Sequence, residues 1–122
     1  MPRILIVDDE RDIRSLLAVA FTRAGYEVRT AADGAQAIAL CAASEPFDVL
    51  LSDVMMPSMN GHDLVRSVLK RHPAIRCVLM TAFDDVDCQD CPLFPRCRVL
   101  AKPFTPKDAV CLIEQVLKEP SN

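Results

Sequence analysis

Five short apolar runs punctuate the chain, and each stops abruptly at polar residues. Arg3 to Val7 is almost continuously apolar, the pattern of a central parallel strand covered on both faces. The period then changes. Ile13, Leu16, Leu17, Ala20, Phe21 and Ala24 recur at helical spacing, and Gly25 stands where a left-handed residue would end a helix. Tyr26 to Ala31 predicts a second strand, near a sheet edge because Glu27 and Arg29 alternate with Val28. Asp33-Gly34 marks a turn into a helix carrying Ala35, Ile38, Ala39 and Ala42, with Cys41 in or beside its buried face. Pro46 precedes a third strand, Phe47 to Ser52, and Pro57, Ser58, Asn60 and Gly61 form the loop that follows. A third helix runs from about Gly61 to Arg71 with Leu64, Val65, Val68 and Leu69 on one face, and Pro73 ends it. Ile75 to Met80 and the brief Val99-Leu100-Ala101 predict two more strands. Thr105-Pro106-Lys107-Asp108 opens the last helix with a cap, a proline at the first helical position and an acid in the first turn; Ala109, Ile113, Val116 and Leu117 are its inner stripe. Strands alternating with helices predict right-handed crossovers and a doubly wound α/β fold.

The residues at the strand ends carry the chemistry. Asp8 and Asp9 follow the first strand, Asp53 the third, Thr81 the fourth and Lys102 the fifth. In a parallel sheet these side chains converge on the carboxyl edge, where open α/β folds bind ligands. Three neighbouring carboxylates repel one another and call for a divalent cation with oxygen ligands, of which Mg²⁺ fits best. A lysine and a hydroxyl beside such a centre are what a transferred phosphoryl group needs. Taken singly, Asp8 or Asp9 reads as a helix cap, Thr81 as a strand-end residue and Lys102 as a solvated charge. It is their joint occurrence that these readings do not supply.

Composition narrows the classes. At 122 residues, 51% hydrophobic and 25% charged, the chain is expected to be one domain, 1–122, with a substantial core. A net charge of −3 provides no basic field, so direct nucleic-acid binding is not expected. The apolar runs are too short to span a bilayer, and no charged-then-apolar leader precedes the first strand, which leads to an expectation of cytoplasmic location. Six cysteines in a reducing compartment are then expected as buried small hydrophobes or metal ligands rather than disulfides.

Ile4-Leu5-Ile6-Val7-Asp8-Asp9-Glu10, Leu50-Leu51-Ser52-Asp53-Val54-Met55-Met56-Pro57 with Asn60-Gly61, Met80-Thr81-Ala82 and Ala101-Lys102-Pro103-Phe104 together resemble the receiver domain of bacterial two-component response regulators, over essentially the whole chain. The resemblance implies a flavodoxin-like five-stranded parallel sheet of order 2-1-3-4-5. It implies that Asp53 takes a phosphoryl group from a histidine kinase or phosphotransfer protein. Asp9 would ligate Mg²⁺ directly, Asp8 directly or through water, and Asp53 with the backbone carbonyl of Met55 would complete the protein ligands. Lys102 and Thr81 would meet phosphoryl oxygens, and Pro103 would follow a cis peptide that aims the lysine. Such a protein catalyses its own phosphorylation and dephosphorylation but is not a turnover enzyme. Phosphorylation adds about −1.5 to −2 charge, draws Thr81 inward and shifts a population of two states.

Two departures from the family pattern stand out. The switch aromatic three residues before the lysine is Val99, so ring rotation is not the expected readout. Where the family's fourth helix belongs, Asp84 to Cys97 carries Pro92 and Pro95, which break a regular helix, so a short or broken helix, or a Cys-rich loop in its place, is expected there. Cys88-x-x-Cys91-x5-Cys97 has spacing suited to Zn²⁺ or a thiol cluster, although a fourth ligand is not evident; Asp84, Asp85, Asp87, Asp90 or a second chain could supply it, whereas Cys77 is expected in the core. Loosely packed thiols are the equal alternative. His62 and His72 are expected as solvated or capping residues.

The leading expectation is a stand-alone phosphorylatable switch that acts on an unknown output protein, since the chain ends at Asn122 just past the last helix. A larger regulator is the alternative. A metal- or redox-responsive interaction module built on Cys88, Cys91 and Cys97 is a different class of function. An aspartate-nucleophile phosphohydrolase would need a second carboxylate two residues after Asp53, where Met55 stands.

Overall fold

The computed structural model describes residues 1–43, 45–57, 59–81 and 97–119. The elements run β1 (Arg3–Val7), α1 (Arg11–Arg23), β2 (Glu27–Ala31), α2 (Gly34–Ala43), β3 (Val49–Asp53), α3 (Gly61–Arg71), β4 (Arg76–Thr81), β5 (Cys97–Ala101) and α4 (Pro106–Lys118). The strands form one sheet of order β2-β1-β3-β4-β5, and every neighbouring pair is parallel. This is the flavodoxin-like arrangement expected, with β2 at an edge. Its order reverses between β1 and β3.

Side chains alternate across a strand, and here both faces are covered. Leu5, Val7, Leu50, Cys77 and Leu79 pack with Ala37, Leu64, Val65 and Val68 of α2 and α3. Ile4, Ile6, Val49, Leu51, Val78 and Met80 pack on the other face with Leu17, Phe21, Ala109, Ile113 and Val116 of α1 and α4. The unbroken apolar runs of β1 and β3 thus follow from two half-cores sharing one sheet. Cys41 and Cys77 are buried as expected, and burial pushes the Cys41 thiol pKa up, away from reactivity. Val99 is partly buried against the α2–α3 side.

Helix ends follow their local chemistry. Gly25 adopts φ of +96° just past α1, its N–H bonds the carbonyl of Thr22, and Tyr26 then turns back so that its ring meets Phe21 edge-on at 5.1 Å. Asn60 caps α3 by accepting from the N–H of Asp63, and His72 occupies the C-cap. Thr105 and Asp108 form a reciprocal capping box at α4. At the far end of α4, the guanidinium of Arg76 donates to the carbonyls of Val116 (2.7 Å) and Glu119 (2.5 Å), and Arg98 pairs with the Glu119 carboxylate. These cations offset the negative end of the helix dipole.

Strands β2 to β5 each differ from the sequence pattern in at least one boundary; β2 begins at Glu27 rather than Tyr26, and β3 ends at Asp53 rather than Ser52. Phe47 was expected to begin β3, yet ladder pairing begins at Val49. Phe47 instead lies under the Arg3 guanidinium, 4.6 Å from its ring centre, while Asp48 accepts from the Arg3 N–H, so the two residues serve the loop before the strand. The fourth strand runs one residue later than expected, so that Thr81 belongs to β4. β5 starts at Cys97 rather than Val99, in register with Cys77. The proline-broken fourth helix and the Cys88 and Cys91 pair lie outside the described residues, as does the side chain of Cys97. Among the described residues no helix is long and apolar enough to cross a membrane.

Candidate functional site

The carboxyl ends of β1, β3, β4 and β5 bring four of the expected side chains into one cleft and place Thr81 beside them. Asp8 directly follows β1; its N–H bonds Ala31 at the end of β2, which fixes where the acid emerges. Its side chain is wholly buried. One carboxylate oxygen, Oδ1, accepts from the Glu10 N–H at 2.8 Å; Glu10, and not either aspartate, is the N-cap of α1. The other oxygen, Oδ2, has no hydrogen-bond partner. Burial raises the Asp8 pKa to about 6, the Glu10 N–H lowers it, the charge of Asp53 raises it, Lys102 lowers it and Asp9 adds a further rise.

Asp53 closes β3 in register with Met80, one residue short of Thr81, and both Asp53 and Thr81 are buried. Lys102 reaches the site from the residue after β5: its N–H bonds the Thr81 carbonyl at 2.7 Å and its ammonium Nζ lies 3.3 Å from Asp53 Oδ1. The Lys102–Pro103 peptide is cis, as expected. Asp9 is exposed at the mouth of the cleft. Carboxylate oxygens of Asp8, Asp9 and Asp53 all lie within 4.8 Å of one another. Met55, in the following loop, is 72% exposed.

This donor set fits a small hard cation. It is all oxygen, one ligand atom is buried without a partner, and an exposed aspartate leaves the site accessible. Such orphaned buried oxygens are rare because they carry the full desolvation penalty, so the cleft is built for a positive partner. Two supporting residues escaped the sequence reading. Arg14 donates from Nη1 to the Asp8 carbonyl at 2.8 Å, and the Ser52 hydroxyl donates to the Asp53 carbonyl at 2.9 Å. The helical phase of Arg14, on the first turn after the acids, was the only signal available for the former.

Comparison with known proteins bears on this cleft directly. Residues 4–114 match the family model for the response regulator receiver domain. The chain belongs to this family. The receiver is 37% identical to the response regulator receiver protein CpdR of Brucella abortus, over 96% of this chain and 98% of that protein. It is 36% identical to the DNA-binding transcriptional regulator NtrC of Escherichia coli over 93% of this chain, which spans 24% of that relative's length. Among solved structures, the chemotaxis protein CheY4 of Vibrio cholerae superposes with a TM-score of 0.84 at 32% identity, covering 95% of this chain and 98% of CheY4. A receiver domain protein of Methanospirillum hungatei reaches 0.87 at 27% identity over 96% of this chain and 94% of that one. Receivers are the phosphorylatable domains of two-component signalling; they generally bind Mg²⁺ in an acidic pocket and partner with histidine kinases or phosphotransfer proteins. The acidic pocket of this receiver is the Asp8, Asp9 and Asp53 cluster.

Proposed function

We propose that this receiver is a cytoplasmic signalling switch that accepts a phosphoryl group on Asp53 from the phosphohistidine of a kinase or phosphotransfer protein. The observation that carries the reading is the placement of the Asp53 carboxylate between the Lys102 ammonium, 3.3 Å away, and the two other acids. A carboxylate flanked on one side by a fixed cation and on the other by cation ligands is oriented and charge-balanced for attack on phosphorus. Asp8, Asp9, Asp53 and the backbone carbonyl of Met55 would hold Mg²⁺, which supplies neutralisation of the charge on phosphoryl oxygens.

The transfer forms a bond from an Asp53 oxygen to phosphorus as the phosphorus–nitrogen bond to the donor imidazole breaks, and the electron pair remains on that nitrogen. Lys102 starts on Asp53 and meets a phosphoryl oxygen when the group arrives. The Thr81 hydroxyl takes another. The new charge at Asp53, about −1.5 to −2, then biases a two-state equilibrium through these two residues. With Val99 in place of an aromatic, readout passes through the surface between Thr81 and Phe104 rather than through a rotating ring. The protein acts as a self-modifying phosphoacceptor and not as a turnover enzyme, and it signals by binding an output protein.

Incubating the chain with Mg²⁺ and acetyl phosphate, followed by intact-mass measurement, tests the reading. A gain of one phosphoryl group in the wild type and none in Asp53→Asn is expected. Labelling of Asp53→Asn at the wild-type rate, or a modified peptide elsewhere, overturns it.

A further inference from the structure

We propose that Gly61 and Ser52 are positioning residues for Asp53: together they fix the backbone carbonyl of the phosphoacceptor and thereby the reach of its carboxylate toward Lys102. The inference rests on the function proposed above. Gly61 begins α3 at the end of the loop that follows Asp53, and a Cβ built there would come within 2.6 Å of the Asp53 carbonyl oxygen and 3.0 Å of the Val54 Cα. It would also meet Leu79 Cδ2 at 2.8 Å. The leucine tip could turn aside, but the other two atoms are main chain, in the last residue of β3 and the residue after it.

The need for glycine here is spatial. Gly61 does not adopt a positive φ, so alanine could take its backbone conformation. What it lacks is room. The close approach is held from several directions: Gly61 N–H donates to the Val54 carbonyl at 2.8 Å, and Val54 N–H donates to the Met80 carbonyl at 3.1 Å. Asn60, immediately before Gly61, caps α3 and so fixes where the helix starts. The Ser52 hydroxyl, wholly buried, donates to the Asp53 carbonyl at 2.9 Å. The N-terminus of α3 therefore rests on the peptide that carries the phosphoacceptor, and any side chain at Gly61 must push that peptide or lift the helix. Gly34 offers a contrast. The three atoms nearest a Cβ there all belong to the Met59 side chain, the sulfur closest at 2.6 Å, so the strain would fall first on a deformable thioether.

The experiment follows acceptance of phosphate from acetyl phosphate with saturating Mg²⁺ in Gly61→Ala, Lys102→Ala and the double variant. A misplacement of about 1 Å costs on the order of 10²-fold in a positioned reaction, so Gly61→Ala is expected to slow labelling by roughly 10- to 100-fold while keeping a cooperative urea transition. If Gly61 acts through the Asp53–Lys102 geometry, removing Lys102 costs much less in the Gly61→Ala background than in the wild type. Multiplicative losses, or a folded Gly61→Ala labelled within twofold of the wild type, overturn the inference. Should Gly61→Ala not fold, Ser52→Ala decides: a several-fold slower rate that is non-multiplicative with Lys102→Ala supports the role, and an unchanged rate refutes it. Failure of the wild type itself to label would instead refute the proposed function.

Discussion

Replacing Asp8 by asparagine should stabilise the metal-free receiver at neutral pH, although it removes a functional group. Asp8 is wholly buried, and its folded-state pKa is pushed up to about 6 from an ordinary 3.8, chiefly by burial. Because the folded value is the higher one, the folded state holds the proton more tightly. The ionised side chain therefore costs stability above pH 6, and that cost fades as the pH falls toward 4. A rise of about two pKa units corresponds to roughly 3 kcal/mol. Asparagine keeps the oxygen that accepts from Glu10 and offers an amide where Oδ2 now has no partner. An Asp53 oxygen lies within 4.8 Å of the Asp8 ligand atom, close enough for small adjustments to pair the two. An imperfect amide bond would offset about 1–3 kcal/mol of this, so the net gain should fall between zero and about 2 kcal/mol, centred near 1.

Urea denaturation at several pH values, in chelator and in Mg²⁺, measures this. With a slope of about 1–3 kcal/mol per molar urea, the metal-free midpoint at pH 7.5 should rise by roughly 0.3 to 1 M in Asp8→Asn. The two proteins should converge near pH 4. Mg²⁺ at a hundred times its dissociation constant should add about 2.7 kcal/mol to the wild type and markedly less to the variant. A wild type whose metal-free stability does not rise on acidification from pH 7 toward 5, together with an unstabilised variant, would show that Asp8 is not held as a strained buried charge.

Lys102→Ala should impair phosphoryl acceptance while leaving Mg²⁺ affinity equal or tighter, because the ammonium opposes a cation in the same cleft; parallel losses of both in titration and labelling would count against that division. Thr105→Ala removes the side-chain half of the α4 capping box and should cost about 1 kcal/mol in urea melts without altering labelling. A loss of labelling at unchanged stability would mean that α4 communicates with the site more directly than its contacts indicate.

The alternation of strands with helices and the five strand-end residues were legible because each rests on a short, one-dimensional signal, whereas the sheet order came only from the resemblance to the receiver family. An apolar run buried on both faces has no polar alternation, and a polar residue placed at its end has one place to go. Asp8, Asp53, Thr81 and Lys102 meet in space for that reason. The less legible features all depend on partners distant in sequence. Phe47 looks like the start of a strand but is taken by Arg3, and Cys97 begins β5 because Cys77 offers a ladder partner. Ser52 and Gly61 read as ordinary strand and loop residues until the Asp53 carbonyl is placed between them. The orphaned oxygen of Asp8 is likewise invisible to composition: counting acids does not say which one is stripped of water.

The Arg76 clamp on the last turn of α4 also fixes an address. It pins the end of that helix to the first residue of β4, at the edge of the sheet opposite the phosphorylation cleft, with a six-residue strand of about 16 Å between them. Pro2 is tied to the start of β2 on the same edge. Both described ends of the polypeptide thus leave the domain on the side facing away from Asp53. A fluorophore, tag or surface tether attached at either end would therefore leave the cleft open to a donor protein, and an immobilised receiver should accept phosphate as readily as one in solution.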